Sequence, residues 1–193
     1  MKYMCVYAGS NPGVRPDYRE AAQELGKELV ARGLGLVYGG GQVGLMGVVA
    51  DAVLSAGGEV IGVMPKALFP SEVAHQGITL YEVDGLHERK AKMSSIASGF
   101  IALPGGFGTY DELFESITWA QLGIHEKPIG VLNVSGYFDP LLALIKHTVE
   151  EGFIRPHYAN LMIARERPGE LLDSFETFKP LQQRSKWAEI PDE

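Results

Sequence analysis

Cysteine is almost absent from this chain: among 193 residues there is one, Cys5. A single thiol cannot form an internal disulfide, and Cys5 lies inside the apolar run 4–7, so we expect a buried and unreactive side chain. The five histidines, at positions 75, 87, 125, 147 and 157, lack the spacing that is typical of metal ligands. We therefore expect no metal site.

Long apolar runs and dense basic tracts are also missing. No run approaches the roughly 18 residues of a membrane span, and no basic start followed by an apolar run suggests an export signal, so we expect a soluble, cytoplasmic protein with no membrane partner. Lys and Arg total 17 against 24 Asp and Glu, which gives a formal net charge of −7. That charge repels polyanions and argues against nucleic acid as a partner, although a small anion can still bind where backbone N–H groups converge.

Short apolar, β-branched runs alternate with segments of helical period along most of the chain. Expected strands cover residues 3–8, 34–38, 60–64, 79–83, 100–103 and 129–134, and expected helices cover 17–32, 44–56, 87–97, 109–122, 140–151 and 170–178. This alternation predicts an α/β fold, a Rossmann-like and mainly parallel sheet with helices on both faces. We place one domain at 1–180 and a polar tail at 181–193, and we expect Asp17 to cap the first helix.

Function is expected in the strand-to-helix loops, because parallel α/β sheets bind ligands at the carboxyl ends of their strands. Ser10 lies in the first such loop, and Gly40 and Gly41 lie in the second, so all three are candidate substrate contacts. The second loop contains the pattern G-x-G-x-x-G, but no acid ends the next strand to hold a ribose, which disfavours NAD. A tight turn that needs positive φ and close packing is the alternative interpretation of its glycines.

The loop after the fifth expected strand has more polar chemistry. Its candidate phosphate contacts are Gly105, Gly106, Phe107, Gly108 and Thr109. Glycines let backbone N–H groups approach phosphate oxygens, and the following helix adds about half a positive charge. The Lys-Ser/Thr pair of a P-loop is missing, so a monophosphate is expected rather than a triphosphate. The alternative is a capping box, because Thr109 and Glu112 form the pattern T-x-x-E.

Basic side chains are concentrated where the third expected helix begins. Arg89, Lys90 and Lys92 oppose the helix dipole there, so they cost stability unless a carboxylate or a bound anion compensates. This conflict indicates a site, to which we add Met93 as a candidate substrate contact. The alternative is a solvated charged face that Glu88 balances.

Three segments carry a combined motif. They are 39–47 with the sequence GGGQVGLMG, 87–90 with HERK, and 104–112 with PGGFGTYDE. Together they resemble the Lonely Guy (LOG) family of cytokinin riboside 5′-monophosphate phosphoribohydrolases, whose members were often labelled possible lysine decarboxylases. The resemblance covers residues 3 to about 165. Decarboxylation itself is disfavoured, because no lysine has an identified partner for a pyridoxal phosphate ring.

The resemblance implies hydrolysis of an N⁶-modified adenosine 5′-monophosphate, and often of AMP, to free base and ribose 5-phosphate without a cofactor. It implies a homodimer with the site near the subunit interface. Arg89 and Glu112 match the catalytic pair, and residues 106–109 match the phosphate-binding loop. Further substrate contacts are matched by Lys90, Thr118 and Glu72.

The chemistry of the two matched side chains fits that activity. Breaking a glycosidic bond leaves positive charge on the ribose, and a carboxylate such as Glu112 can either stabilise this charge or activate water. A guanidinium keeps its proton at neutral pH, so Arg89 is assigned charge stabilisation or orientation. A nucleotide-binding sensor or carrier without turnover is the alternative, since a fold alone does not guarantee chemistry.

Overall fold

The computed structural model describes residues 2–66 and 74–181. Glu72, one of the candidate substrate contacts, lies outside the described residues. So does nearly all of the expected polar tail, from position 182 onward.

The described residues contain seven strands and six α-helices, which alternate except where the fourth strand follows the third. The strands are β1 (Lys2–Tyr7), β2 (Leu34–Tyr38), β3 (Val60–Pro65), β4 (Thr79–Val83), β5 (Ala97–Ala102), β6 (Ile129–Leu132) and β7 (Met162–Arg165). The helices are α1 (Pro16–Ala31), α2 (Gly44–Ser55), α3 (Leu86–Ile96), α4 (Phe107–Gln121), α5 (Asp139–Glu150) and α6 (Pro168–Glu176). All six expected helices are present, which confirms the predicted alternation.

The strands form one sheet in the order β4-β3-β2-β1-β5-β6-β7, and every neighbouring pair is parallel. The chain winds outward from β1 to one edge and then returns to build the other half from β5. This doubly wound order confirms the Rossmann-like fold class. It also places the switch point, where ligands bind in such sheets, between β1 and β5.

Each face of the sheet has its own hydrophobic core. Helices α1, α2 and α6 cover one face, with Leu25, Leu45 and Leu171 among its fully buried side chains. Helices α3, α4 and α5 cover the other face. Cys5 is completely buried there, as predicted, and burial raises the pKa of its thiol. The predicted placement of helices on both faces is confirmed.

Two local expectations are wrong. Asp17 does not cap α1, because the helix begins at Pro16 with Arg15 in the cap position and no side-chain cap hydrogen bond. The fixed φ of proline suits the first helical position, which moves the start by one residue. Asp17 instead accepts a hydrogen bond of 2.6 Å from the Ser135 hydroxyl. Strand β7 was not expected, and it adds a parallel edge to β6.

Within residues 2–66 and 74–181, no helix is both long enough and apolar enough to cross a membrane.

Candidate active site

Three strand-to-helix loops meet over the carboxyl ends of the central strands. The backbone N–H of Leu45 donates to the carbonyl of Gly9 at 2.9 Å, and the N–H of Gly9 donates to the carbonyl of Pro104 at 3.1 Å. A cavity of about 190 Å³ lies beside these contacts. Its lining includes residues 9–13, residues 104–106, Tyr18 and Tyr137. The first loop thus links the other two at the switch point.

Arg89 and Glu112 come together at this edge of the sheet. Arg89 Nη2 lies 3.7 Å from Glu112 Oε1, and their side chains are 15% and 12% exposed. Arg89 Nε also donates to the carbonyl of Val63 in β3 at 3.1 Å. The guanidinium occupies the space in which a Cβ on Gly39 would stand. Only glycine at position 39 therefore lets Arg89 reach this position.

The carboxyl group of Glu112 has an unusual acidity. Burial raises its pKa from 4.5 to about 7, against the opposing effect of the Arg89 guanidinium. The nearby Asp111 and Glu115 add to the increase. Near neutral pH the site therefore holds both the ionised and the protonated form of Glu112, which suits a group that accepts and releases protons.

The basic start of α3 is compensated by acids on α4. Lys90 Nζ lies 3.1 Å from Asp111 Oδ2 and 3.0 Å from Glu115 Oε1, with its side chain 13% exposed. Glu88 instead accepts a 2.8 Å hydrogen bond from the backbone N–H of Asp84. A solvated face balanced by Glu88 is therefore the wrong interpretation for Arg89 and Lys90, which are directed toward acids of α4. Lys92 Nζ instead lies 4.5 Å from the centre of the Tyr81 ring on β4.

Residues 104–109, the candidate phosphate-binding loop that we call the anion cradle, lead into the amino-terminal end of α4. The helix begins at Phe107 with Gly106 in the cap position and no side-chain cap hydrogen bond. The capping-box alternative is wrong, because it requires Thr109 in that position. Thr109 is instead 3% exposed within the first turn, with its hydroxyl where a Cβ on Gly105 would stand. The first turn of α4 thus has N–H groups without helical partners.

The cradle also contains two positions that are open to solvent. A Cβ added at Gly106 or Gly108 meets no atom within 4 Å. The side chain of Phe107, between them, is 95% exposed. This side of the cradle is thus accessible to a ligand.

The remaining candidates are distributed unevenly. Ser10 borders the 190 Å³ cavity. Gly40 has a φ of +86° and its carbonyl accepts from the N–H of His75, while Gly41 forms a β-bridge with Ala74. The tight-turn interpretation therefore holds for Gly40. Both glycines are buried, and they follow Gly39 in the chain.

Two candidates are not brought to the Arg89–Glu112 pair. Met93 is 1% exposed and packs in the core of its sheet face, one turn below Arg89. Thr118 is exposed, and its hydroxyl donates to the carbonyl of Phe114 on the same helix at 2.7 Å. Within one chain, neither side chain faces the site.

Some side chains that contact the site were missed in the sequence. The Tyr137 hydroxyl donates to the carbonyl of Gly105 in the anion cradle at 2.5 Å. The Tyr7 hydroxyl lies 2.9 Å from Ser116 Oγ, which donates to the carbonyl of Glu112 at 3.0 Å. Tyr7 ends β1 and Tyr137 follows β6, so their position after a parallel strand was the available signal.

Fold and site together define a class: a doubly wound α/β protein with an anion cradle and a partly buried Arg–Glu pair at its switch point. Residues 46–175 match the family model described as possible lysine decarboxylase. The chain is 52% identical over 178 residues to the cytokinin riboside 5′-monophosphate phosphoribohydrolase LOG of Oryza sativa subsp. japonica, with 92% of this chain and 74% of that protein covered. The chain belongs to the Lonely Guy (LOG) family, as the sequence motifs predicted.

Further relatives agree with that assignment. The Arabidopsis thaliana cytokinin riboside 5′-monophosphate phosphoribohydrolase LOG1 is 48% identical over 186 residues, with 95% of this chain and 85% of that protein covered. Among solved structures, a molybdenum cofactor carrier protein from Chlamydomonas reinhardtii superimposes with a TM-score of 0.67 at 20% identity, covering 91% of this chain and 96% of that one. At that level of identity the likeness shows the fold alone.

Proposed function

We propose that this chain is a cytoplasmic enzyme that hydrolyses the N-glycosidic bond of adenosine 5′-monophosphates, N⁶-modified ones included, to give free base and ribose 5-phosphate. The observation that carries the proposal is the enclosed Arg89–Glu112 pair beside the anion cradle. The same activity is named for relatives that share about half of this sequence.

The anion cradle holds the 5′-phosphate in this proposal. Backbone N–H groups of the first turn of α4 point at the phosphate oxygens, and the helix dipole favours their negative charge. Gly106 and Gly108 leave room for close approach, since no protein atom lies within 4 Å of a Cβ there. A phosphate-free nucleoside lacks these interactions, and we expect it to be a much poorer substrate.

Glu112 acts on the ribose and on water. As the bond from C1′ to the base nitrogen breaks, its electron pair leaves with the base and positive charge develops on the sugar, which the carboxylate stabilises. Water adds its oxygen to C1′ and loses a proton, which Glu112 accepts in its ionised form. The base takes up one proton overall. The sum of the steps is therefore the addition of one water molecule, with OH on C1′ and H on the base. A pKa of about 7 lets Glu112 accept the proton of water near neutral pH.

Arg89 supports this carboxylate without exchanging protons. Its guanidinium keeps its charge at neutral pH and opposes the effect of burial on Glu112. The hydrogen bond to the Val63 carbonyl and the close fit over Gly39 fix the guanidinium in place. We assign Arg89 the orientation of Glu112 and of the sugar.

The enzyme is further proposed to be a homodimer. Apolar side chains remain exposed on α4 and just after it: Phe114 is 40%, Leu122 56% and Ile124 64% exposed, whereas Leu113 is core. Thr118 is exposed on the same helix, so pairing through α4 would turn it toward a second subunit.

Sedimentation velocity of the Ile124→Lys variant tests this dimer surface. We expect a shift from dimer to monomer, and an unchanged dimer would exclude this surface.

The activity is tested by incubating the protein with AMP, isopentenyladenosine monophosphate and unphosphorylated adenosine, with free base followed by chromatography. We expect release from the two monophosphates only, and its loss in Glu112→Gln. Glu150→Gln on α5, where the side chain is 59% exposed, is the matched control and keeps wild-type activity. Binding of AMP without release of adenine would instead favour the sensor or carrier.

A further inference from the structure

Three consecutive carbonyl groups of the anion cradle are each bound to a donor from the protein. Pro104 O accepts from the N–H of Gly9 at 3.1 Å, and Gly106 O accepts from the N–H of Tyr110 at 3.1 Å. Between them, Gly105 O accepts from the Tyr137 hydroxyl at 2.5 Å. The cradle thus keeps its acceptor oxygens turned into the protein.

The middle bond is the one that a side chain makes, and it restrains the peptide between Gly105 and Gly106. In a trans peptide the carbonyl and the following N–H point in opposite directions, so binding Gly105 O to Tyr137 directs the Gly106 N–H to the other side. Glycines flank this peptide, and their wide conformational freedom makes rotation of the peptide plane inexpensive. A rotated peptide would present its oxygen where its N–H now points, and that oxygen would repel an anion.

Tyr137 is itself held in place by three aromatic neighbours. Its ring meets the ring of Tyr18 edge to face at 5.7 Å and that of Phe138 at 5.0 Å. The Tyr110 hydroxyl donates to the Tyr137 oxygen at 3.2 Å, which leaves the Tyr137 proton for Gly105. The loop after β6 therefore reaches the cradle through a fixed hydroxyl.

We propose that Tyr137 is a positioning residue for the 5′-phosphate: its hydroxyl holds the Gly105 carbonyl so that the Gly106 N–H faces the anion. The inference deepens the proposed function, since it concerns the same cradle. It assigns Tyr137 to binding of the phosphate and not to cleavage of the glycosidic bond.

The test is Tyr137→Phe, which removes the hydroxyl and keeps the ring in its aromatic surroundings. We expect KM for AMP and the Kd values of AMP and inorganic phosphate to rise about tenfold, as for one lost hydrogen bond to a bound anion. We expect kcat to stay within about twofold, because binding that is equal in ground and transition states affects KM alone. The Kd of free adenine stays unchanged.

Two further variants complete the experiment. Tyr110→Phe removes the donor to Tyr137 and leaves the Gly105 bond, so KM rises by about two- to threefold in the same direction. Tyr81→Phe, on β4 with 40% exposure, is the neutral control. Unfolding curves measured for each variant separate loss of the fold from loss of the anion site.

Unchanged phosphate affinity in Tyr137→Phe would overturn the inference, and so would a lower kcat at constant KM or an equal loss of adenine affinity. The Kd of inorganic phosphate, measured by calorimetry, does not depend on turnover. A wild-type protein that binds AMP and releases no base would refute the proposed hydrolysis while still deciding the role of Tyr137.

Discussion

The loop after β2 and the loop after β5 both run from a buried strand through several glycines into a helix, but the space around those glycines differs. In the first loop and the start of α2, a Cβ on Gly39, Gly44 or Gly47 would overlap other atoms of the protein, and Gly44 has a φ of +59°. In the second loop, a Cβ on Gly105 would also overlap the Thr109 hydroxyl. Gly106 and, in the first turn of α4, Gly108 instead face open space and have no positive φ. Similar glycine patterns therefore have different causes: packing and backbone conformation in the first region, and open space for a ligand in the second.

The contrast separates glycines that the fold needs from glycines that it does not. Any side chain at Gly47 would have to displace the backbone of Gln42. At Gly106 and Gly108 neither packing nor backbone conformation requires glycine, so we infer that these positions serve the approach of a ligand. This difference predicts that substitutions in the two regions change stability and affinity for AMP in different ways, whereas a substitution at the Arg89–Glu112 pair changes catalysis.

The largest effect is expected from Glu112→Gln. The amide neither stabilises the developing positive charge nor accepts a proton, so kcat for AMP should fall by about 10³-fold. KM should change little, because the anion cradle is untouched. Single-turnover release of adenine measures the loss. A variant with more than a tenth of the wild-type kcat would remove Glu112 from the chemistry.

The wild-type pH profile should show the acidity of the same carboxyl. Since burial raises the pKa of Glu112 to about 7 in the ligand-free protein, kcat/KM for AMP should fall about tenfold per pH unit below 7. A reference carboxyl with a pKa of 4.5 would not cause this fall. Initial rates with AMP well below KM between pH 5 and 9 decide between these outcomes.

Gly47→Ala should reduce the free energy of unfolding by on the order of 2 kcal/mol, despite the better helix propensity of alanine. The cause is the overlap of the new methyl group with the backbone of Gln42. Urea unfolding measures the change. Equal stability of variant and wild type would mean that this loop is less tightly packed than the structure indicates.

Gly108→Ala should have the smallest effect: it should weaken the binding of AMP and leave stability equal or slightly higher. The methyl group enters open space in the first turn of α4, so stability should stay equal or rise by up to about 1 kcal/mol. The KM for AMP should rise about tenfold, because the methyl group hinders close approach of the phosphate. If KM stayed constant, the contrast between the two loops would have no functional meaning.

The sequence predicts most of the fold because period and composition are local properties. The strand expected at 79–83 is present as β4 (Thr79–Val83), and α2 begins at Gly44 as expected. Strand β7 was not predicted, because a strand of four residues, two of them partly buried, gives no clear period. The start of α4 was predicted two residues too late. The pattern T-x-x-E favours a cap at Thr109, whereas the helix begins at Phe107.

The site was predictable where side chains follow motifs and not where contacts cross the sheet. Arg89 and Glu112 were matched from short motifs, and the structure brings them within 3.7 Å. Met93 was chosen for its place beside the basic start of α3, but its position one turn below Arg89 buries it in the core. The bond from Tyr137 to Gly105 joins loops on two strands, and no local pattern encodes it.

The position of β1 at the centre of the sheet has a consequence for the order in which the protein is assembled. Met4 pairs with Leu36 on one side and with Gly99 on the other. During synthesis, the half of the sheet from β1 to β4 can form first, but β1 keeps an open edge until β5 leaves the ribosome. Parallel pairing across so long a stretch of chain is slow. The anion cradle and Glu112 follow β5 directly, so the active site is completed only after the sheet has closed at its middle.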